Sequence, residues 1–439
     1  MPDPAGDATE RREILDRVEA WGARQGAARP FEPGKSYIPV SGKVVGGREL
    51  RFAADAVLDG WLTAGRFTID FERAFARALG LRHAMFANSG SSANLLAISA
   101  LTSPALEGRR LQRGDEVITA AAGFPTTLNG ILQNGLVPVL VDVDPSTGNA
   151  DPEALRGAVT EKTRAVFMAH TLGNPFDLDA VMEIVRERNL WLIEDNCDAL
   201  GAKWDGKHTG TYGDLMTCSF YPAHHITTGE GGMVGTQDPA LKKVVESFRD
   251  WGRDCWCEPG NDNTCGLRFE AQYGDLPYGY DHKYVYSHIG YNLKGTDFQA
   301  AIGLAQIESL DEFVAARRRN FAALYEGLTP LADRIDLPRW LPKAEPSWFG
   351  FPIVVKPDAG FTRDDLVRHL EGQGIGTRPM FAGNFRRHPA YQEAAVRVAG
   401  SLTGADALTD RGFWIGTWPG ITPAMVDYMV GTLSAFARR

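Results

Sequence analysis

Cysteine is scarce in this chain, with five residues in 439. That is too few for the disulfide framework of a secreted fold. Long apolar runs are missing as well. None approaches the roughly 20 residues that a membrane-spanning helix needs, which excludes a helical membrane protein. Positive charge is in deficit: 46 Lys and Arg against 55 Asp and Glu leave a net charge of −9. A broad nucleic-acid-binding face is therefore not expected. No Gly-x-Gly-x-x-Gly or flavin fingerprint occurs, so the chain carries no evident redox nucleotide of its own. The opening MPDPAGDATERREILDRVEAWGARQG is polar and amphipathic without an apolar core, unlike a secretory leader. The expectation is a soluble protein of the cytoplasm, with neither membrane nor nucleic acid as partner.

What is present is an ordinary globular balance, 44% hydrophobic and 23% charged, which rules out a disordered or fibrous chain. The 48 glycines suit a fold with many tight βα turns. Residues 1–28 read as a polar helix, followed by an extended Pro/Gly-punctuated arm. From 50 to about 240, helical stretches such as FERAFARAL alternate with short apolar runs in DEVITAAAGF, VPVLVDVD, TRAVFMAH and NLWLIEDN. This alternation predicts an α/β architecture with a mostly parallel sheet covered on both faces. Residues 252–290 break the pattern, being rich in Gly, Asp, Tyr and Trp and holding three cysteines. So long an irregular stretch inside a compact domain is usually functional or disordered. Residues 296–328 are helical, and a smaller α+β unit follows. The expected division is an arm over 1–45, a large domain over 46–315 containing the loop 252–290, and a small domain over 316–439.

Three local patterns carry chemistry. Asn88 to Ala93 lies between an apolar run and a helix, where small residues let backbone N–H groups approach a phosphate. Ser and Asn are also ordinary helix caps. Asp195 closes the run Ile193-Glu194-Asp195, where a carboxylate can pair with a pyridinium nitrogen or cap a turn. Cys197, Cys255, Cys257 and Cys265 are separated by 57, 1 and 7 residues. Four thiolates suit a 2Fe–2S cluster or a structural zinc; the spacing alone also allows scattered free thiols. Cys218, within MTCSF, reads as core.

The most specific string is Ser219-Phe220-Tyr221-Pro222-Ala223-His224, continuing to Gly229-Glu230-Gly231-Gly232. It resembles the DegT/DnrJ/EryC1/StrS aminotransferases of fold type I, whose motif holds a lysine where this chain has His224. In the family that lysine forms the Schiff base with pyridoxal phosphate, which an imidazole cannot do. The resemblance spans nearly the whole chain. It implies a large mostly parallel-sheet domain and a smaller C-terminal α+β domain, a pyridoxamine or pyridoxal phosphate cofactor, and a homodimer. It implies phosphate contacts at Ser91, Ser92 and Ser219, and a ring-stacking aromatic at Phe124. Asp195 falls on the pyridinium partner, Asp198 on the position of a family glutamine, and Asn292 on a residue that reaches the partner subunit's cofactor phosphate. Trp61 matches a substrate-side segment, and Arg378 is a candidate for the sugar-nucleotide phosphate.

The lysine-to-histidine exchange and the cysteine spacing together resemble one branch of the family. These are the iron–sulfur nucleotide-4-keto-6-deoxyhexose 3-dehydratases of the CDP-6-deoxy-4-hexulose 3-dehydrase type. That resemblance implies His224 as general base and a 2Fe–2S cluster on Cys197, Cys255, Cys257 and Cys265. It also implies an NAD(P)H-dependent flavin or iron–sulfur reductase as electron source, and one-electron, radical reduction of a CDP- or dTDP-linked sugar in deoxysugar biosynthesis. The alternatives are a sugar-nucleotide aminotransferase or a cluster-free 3-dehydratase of the colitose type.

Overall fold

Each apolar run between 80 and 240 forms a strand, and seven of them build one sheet. They are β1 (His83–Ala87), β2 (Glu116–Ala120), β3 (Val137–Val141), β4 (Thr163–Ala169), β5 (Trp191–Asp195), β6 (Leu215–Ser219) and β7 (Gly232–Thr236). The computed structural model describes residues 4–25, 30–257 and 263–438. The ends of the helix expected over 1–28, and residues 258–262 of the expected loop, lie outside them. The sheet order is β1-β7-β6-β5-β4-β2-β3, and Arg397–Ala399 adds an eighth strand beside β3. All neighbours are parallel except at β7, which runs antiparallel to β1 and β6. Helices cover both faces, so β5 and β6 are buried along their whole length. That explains why they read as continuous apolar runs rather than alternating ones. Pro138 is tolerated within β3. Val137 N–H donates toward β2 at Asp115, so the nitrogen of Pro138 faces the other edge, which pairs only from Val139 onward.

Residues 296–328 form two helices, Asp297–Ile307 and Leu310–Leu328, rather than one. The boundary expected at 315/316 falls inside the second of these. A four-stranded antiparallel sheet follows, with Gly350–Val355 and Gly412–Gly416 at its centre. Since Arg397–Ala399 returns to the large sheet, the C-terminal third is interleaved with the rest. The stretch over 252–290 is an excursion with a paired base. Trp251 N–H donates to Tyr291 O, Asp254 N–H to Val285 O, and Ser287 N–H to Gly252 O. Among the described residues no helix is long and apolar enough to cross a membrane.

Candidate active site

The carboxyl ends of β4, β5 and β6 open into a cavity of about 600 Å³, on the carboxyl edge where α/β sheets bind ligands. Its lining includes Ser89, Ser91, Phe124, Asp195, Asp198 and Ser219, together with Cys197, His224 and Arg378. At one end, helix Gly90–Ala100 points its N-terminus inward, capped by Ser89, whose hydroxyl accepts from Ser92 N–H at 3.0 Å. The turn is packed so closely that a Cβ on Gly90 would lie 2.3 Å from Ser219 Cβ. One on Gly232 would lie 2.2 Å from Ser89 O. The two glycines therefore bring a helix N-terminus and the Ser219 hydroxyl together, which makes a cradle for an anion.

Asp195 forms the polar floor, 4% exposed. Its Oδ2 accepts from Asn94 Nδ2 at 2.9 Å and Thr127 Oγ1 at 2.8 Å. Its Oδ1 accepts from Cys197 N–H at 3.0 Å. Three donors hold the carboxylate in one orientation. Asn94 is itself held by Thr217 Oγ1 at 2.6 Å. Phe124 stands at the mouth, half-exposed and edge-on to Phe381. An anion cradle, a fixed carboxylate and an aromatic at the rim fit the phosphate, ring nitrogen and ring face of a pyridoxal-type cofactor.

His224 faces this floor. Its Nδ1 is buried without a hydrogen-bond partner. Burial, aided by the Arg317 charge, pushes the imidazole down to about 3; a backbone contact at Cys197 works the other way. The side chain is therefore a neutral base at pH 7. Burial and then the Asp195 charge push the Asp198 carboxyl up to about 8, against a backbone contact at Leu172 and the Arg317 charge. The neighbouring His225 is different: its Nε2 donates to Ser347 O at 2.9 Å, making it a core brace. Arg317, 1% exposed, donates to the carbonyls of His224 and Phe349, each at 3.1 Å. It thereby ties the His224 turn to the small sheet.

A family model, the DegT/DnrJ/EryC1/StrS aminotransferase family, matches residues 45–434. The chain belongs to this family. The lipopolysaccharide biosynthesis protein RfbH of Salmonella typhimurium is 53% identical over 430 residues, 98% of each chain. A dTDP-4-dehydro-2,6-dideoxy-D-glucose 3-dehydratase of Saccharopolyspora spinosa is 54% identical over 433 residues, covering 99% of this chain and 93% of the relative. Among solved structures, E. coli GDP-4-keto-6-deoxy-D-mannose-3-dehydratase with bound hydrated PLP superposes with a TM-score of 0.81. It is 30% identical and covers 91% of this chain and 100% of that one. The fold is that of the family's PLP-dependent enzymes, as the sequence predicted.

Not every residue carried over from the DegT/DnrJ/EryC1/StrS resemblance lies in the cavity. Ser92 serves the cap, its hydroxyl 2.9 Å from Ser89 Oγ, and does not line the cavity. Trp61 is 46% exposed and donates to Ala64 O. Asn292 is exposed and bridges to Asp250. Neither lines the cavity within one chain. Arg378 does line it, held by its own strand through Thr377 O at 2.7 Å. The cysteines divide. Cys255, Cys257 and Cys265 line one small cavity, whereas Cys197 lines the large one. Burial and the nearby Asp195 carboxylate push the Cys197 thiol well up. Burial also raises Cys257, but hydrogen bonds from Thr264 and Cys255 outweigh it and bring that thiol down to about 7. Among the described residues, no three His, Cys, Asp or Glu side chains stand in metal-binding geometry. The four cysteines expected as one ligand set therefore line two separate cavities.

Sequence reasoning missed Asn94, Thr127 and Arg317, while Ser89 lay within the turn it had singled out. Asn94 had a signal, being an amide at the fifth position of an otherwise small and apolar helix. Arg317 had none, since in an Arg-Arg-Arg run nothing marks the buried member. A larger cavity of about 820 Å³ lies elsewhere and contains Asp142, Asp144, Asp151 and Asp177. Each of those carboxylates caps backbone N–H groups, so the cavity is lined by structural turns.

Proposed function

We propose that the protein catalyses C-3 deoxygenation of a CDP- or dTDP-linked 4-keto-6-deoxyhexose in deoxysugar biosynthesis. The observation that carries this reading is His224: a neutral imidazole, its Nδ1 without a partner, standing in the cofactor cavity at the family's lysine position. The name of the S. spinosa relative, a 3-dehydratase of a dTDP-linked 4-keto sugar, supports the reaction type. Pyridoxamine phosphate, when bound, supplies the amine that condenses with the sugar ketone and a ring that accepts electrons. The helix N-terminus at Gly90, with Ser91 and Ser219, holds its phosphate. Asp195, fixed by Asn94 and Thr127, keeps the ring nitrogen protonated. His224 would take the proton from the cofactor C4′ carbon as the sugar 3-hydroxyl departs, its imidazole being uncharged and so open to a proton at neutral pH. Arg317 holds the backbone carbonyl of His224 and so fixes the ring's approach. The nucleotide phosphates meet Arg378 at the cavity mouth.

The reduction half of the reaction would draw on a 2Fe–2S cluster at Cys197, Cys255, Cys257 and Cys265 and on an NAD(P)H-dependent flavin or iron–sulfur reductase. The protein works as a cytoplasmic homodimer in which Asn292 completes the neighbouring site. The test is turnover of CDP- and dTDP-linked 4-keto-6-deoxy sugars with pyridoxamine phosphate, with and without a reductase, followed by mass spectrometry of the sugar. Loss of the 3-hydroxyl is the expected result. Transfer of an amino group from glutamate to the sugar would instead make it an aminotransferase. Release of ammonia without a reductase would make it a cluster-free dehydratase.

A further inference from the structure

The turn that carries His224 and His225 borders a second, small cavity of about 10 Å³, whose lining includes both histidines, Arg317, Thr227 and Gln306. Three nitrogens of these lining residues are buried and lack a hydrogen-bond partner: His224 Nδ1, His225 Nδ1 and Arg317 Nε. Buried polar atoms without partners are rare enough to need a reason. The three side chains surround one ring, that of Phe349. Its centroid lies 5.1 Å from the His224 ring, 6.4 Å from the His225 ring and 5.8 Å from Arg317 Cζ. Gln306 and Thr227 are already committed. Gln306 Oε1 accepts from Thr227 N–H at 3.2 Å, and its Nε2 donates to Val44 O and Glu49 Oε1. Thr227 Oγ1 donates to Phe220 O at 2.9 Å.

The roles of these nitrogens follow from the bonds their side chains already make. Arg317 spends its two Nη groups on four carbonyls, those of Trp348, Phe349, Ala223 and His224. Nε–H is its one donor left over. His225 Nε2 lies 2.9 Å from Ser347 O. A carbonyl only accepts, so the ring proton sits on Nε2 and Nδ1 presents a lone pair. His225 is 2% exposed, and burial, with the Arg317 charge, keeps its ring uncharged. A leftover donor and a leftover acceptor on one cavity suit a molecule that both accepts and donates. The cavity has roughly the volume that holds a single water, and a buried water makes about three hydrogen bonds. His224 Nδ1 is the third partner, since Asp198 Oδ1 at 3.7 Å is too far to hold it.

We propose that this cavity binds one water, which accepts from Arg317 Nε–H and His224 Nδ1–H and donates to His225 Nδ1, and that His225 is thereby a positioning residue for His224. A proton held on Nδ1 leaves the lone pair on Nε2, so the water selects the tautomer in which Nε2 is the basic nitrogen. Arg317 and His225 orient the water between them, one supplying a hydrogen and the other taking one. Without the acceptor on His225 the water turns and donates to His224 Nδ1, which moves the ring proton to Nε2 and blocks the base. The brace to Ser347 and the hold on the water belong to different nitrogens of His225, so they can be removed separately. That Nε2 serves as the base at C4′ rests on the function proposed above; the water site does not.

The experiment compares the full-length wild type with H225Q and H225N. Glutamine places an amide nitrogen where His225 Nε2 stands, keeping the bond to Ser347 and removing the acceptor at Nδ1. Asparagine does the reverse. High-resolution crystal structures are solved for all three proteins. Exchange of the cofactor C4′ proton, affinity for pyridoxamine phosphate and the melting curve are measured alongside. One water within hydrogen-bond distance of the three nitrogens is expected in the wild type and in H225N, and not in H225Q. Exchange should fall by about 10- to 100-fold in H225Q, the scale of a displaced catalytic group, with cofactor affinity unchanged. H225N should exchange nearly as the wild type does while melting at a lower temperature, because it has lost the brace. A merely structural role for His225 gives the opposite order, with H225N the slower of the two, and overturns the proposal. A wild-type cavity without the water overturns it whatever the variants do, as does H225Q protein that exchanges at the wild-type rate. Wild-type protein that holds the water and shows no exchange supports the water site and overturns the role proposed for His224.

Discussion

His224 Nδ1 stands 3.7 Å from Asp198 Oδ1, and the two are not an ion pair. Both side chains are largely buried, and burial drives each to its neutral form, the imidazole down to about 3 and the carboxyl up to about 8. Opposite charges so close would ordinarily hold one another ionised. Here the desolvation cost outweighs that attraction. The result is a base that can accept a proton at pH 7, beside an acid that can still give one.

His224→Asn is expected to lower exchange of the cofactor C4′ proton by about 10²–10⁴-fold, the usual loss for a general base. Binding of pyridoxamine phosphate, which rests on Asp195 and the Gly90 turn, should persist. Deuterium wash-in followed by mass spectrometry measures the first, and absorbance titration the second. Near-full exchange in this variant would remove His224 from the role.

Asp198 makes stability depend on pH in a definite direction. Its folded-state pKa of about 8 lies above the reference value of 3.8. Between those values the unfolded chain has released a proton that the folded chain retains. Stability from this group therefore falls as pH rises from about 4 to about 8, and levels off beyond. Asp198→Asn should raise the melting temperature of the cofactor-free protein at pH 7–8 by several degrees and leave pH 4 little changed. Scanning calorimetry across pH 4–9 checks this, and a variant less stable at pH 8 would contradict it. His224 acts at the other end. Its folded pKa lies below the reference 6.5, so its share of stability is lost as pH falls below about 6.5.

Asn94→Leu removes the 2.9 Å donor to Asp195 Oδ2 and strands Thr217. A hydrogen bond to a charged group is worth about 1.5–3 kcal/mol, so affinity for pyridoxamine phosphate should fall by roughly 10- to 100-fold. Thr127→Val should act in the same direction and less than additively, because both donors serve one oxygen. Fluorescence titration distinguishes these from a variant that merely lowers the melting point.

Arg317→Met should lower turnover more than cofactor affinity. The guanidinium holds the carbonyls of His224 and Phe349, while the phosphate cradle and Asp195 lie on other elements. Leaving those buried carbonyls unpaired also destabilises the fold by about 1–3 kcal/mol each. Steady-state kinetics at saturating cofactor, alongside a melting curve, separates the two effects.

Much of this molecule is legible in its sequence. The runs DEVITA, VPVLV, TRAVFMA and WLIED become β2, β3, β4 and β5, because continuous apolar β-branched segments of that length are stable only inside a covered sheet. The histidine at the lysine position is visible without any structure, and so is its chemical meaning, since an imidazole cannot form a Schiff base. What local sequence does not contain is which neighbours fold against it. Ser92 follows Ser91 in every local respect, yet the helix cap turns one hydroxyl to Ser89 and leaves the other at the cavity. Cys197 shares a spacing pattern with the loop thiols, and because it sits two residues beyond Asp195 the end of β5 carries both into the cofactor cavity. His282 shows no motif at all. Only the return of the 252–290 excursion onto itself places that ring in one small cavity with Cys255, Cys257 and Cys265, because long-range backbone pairing decides which side chains lose their water together.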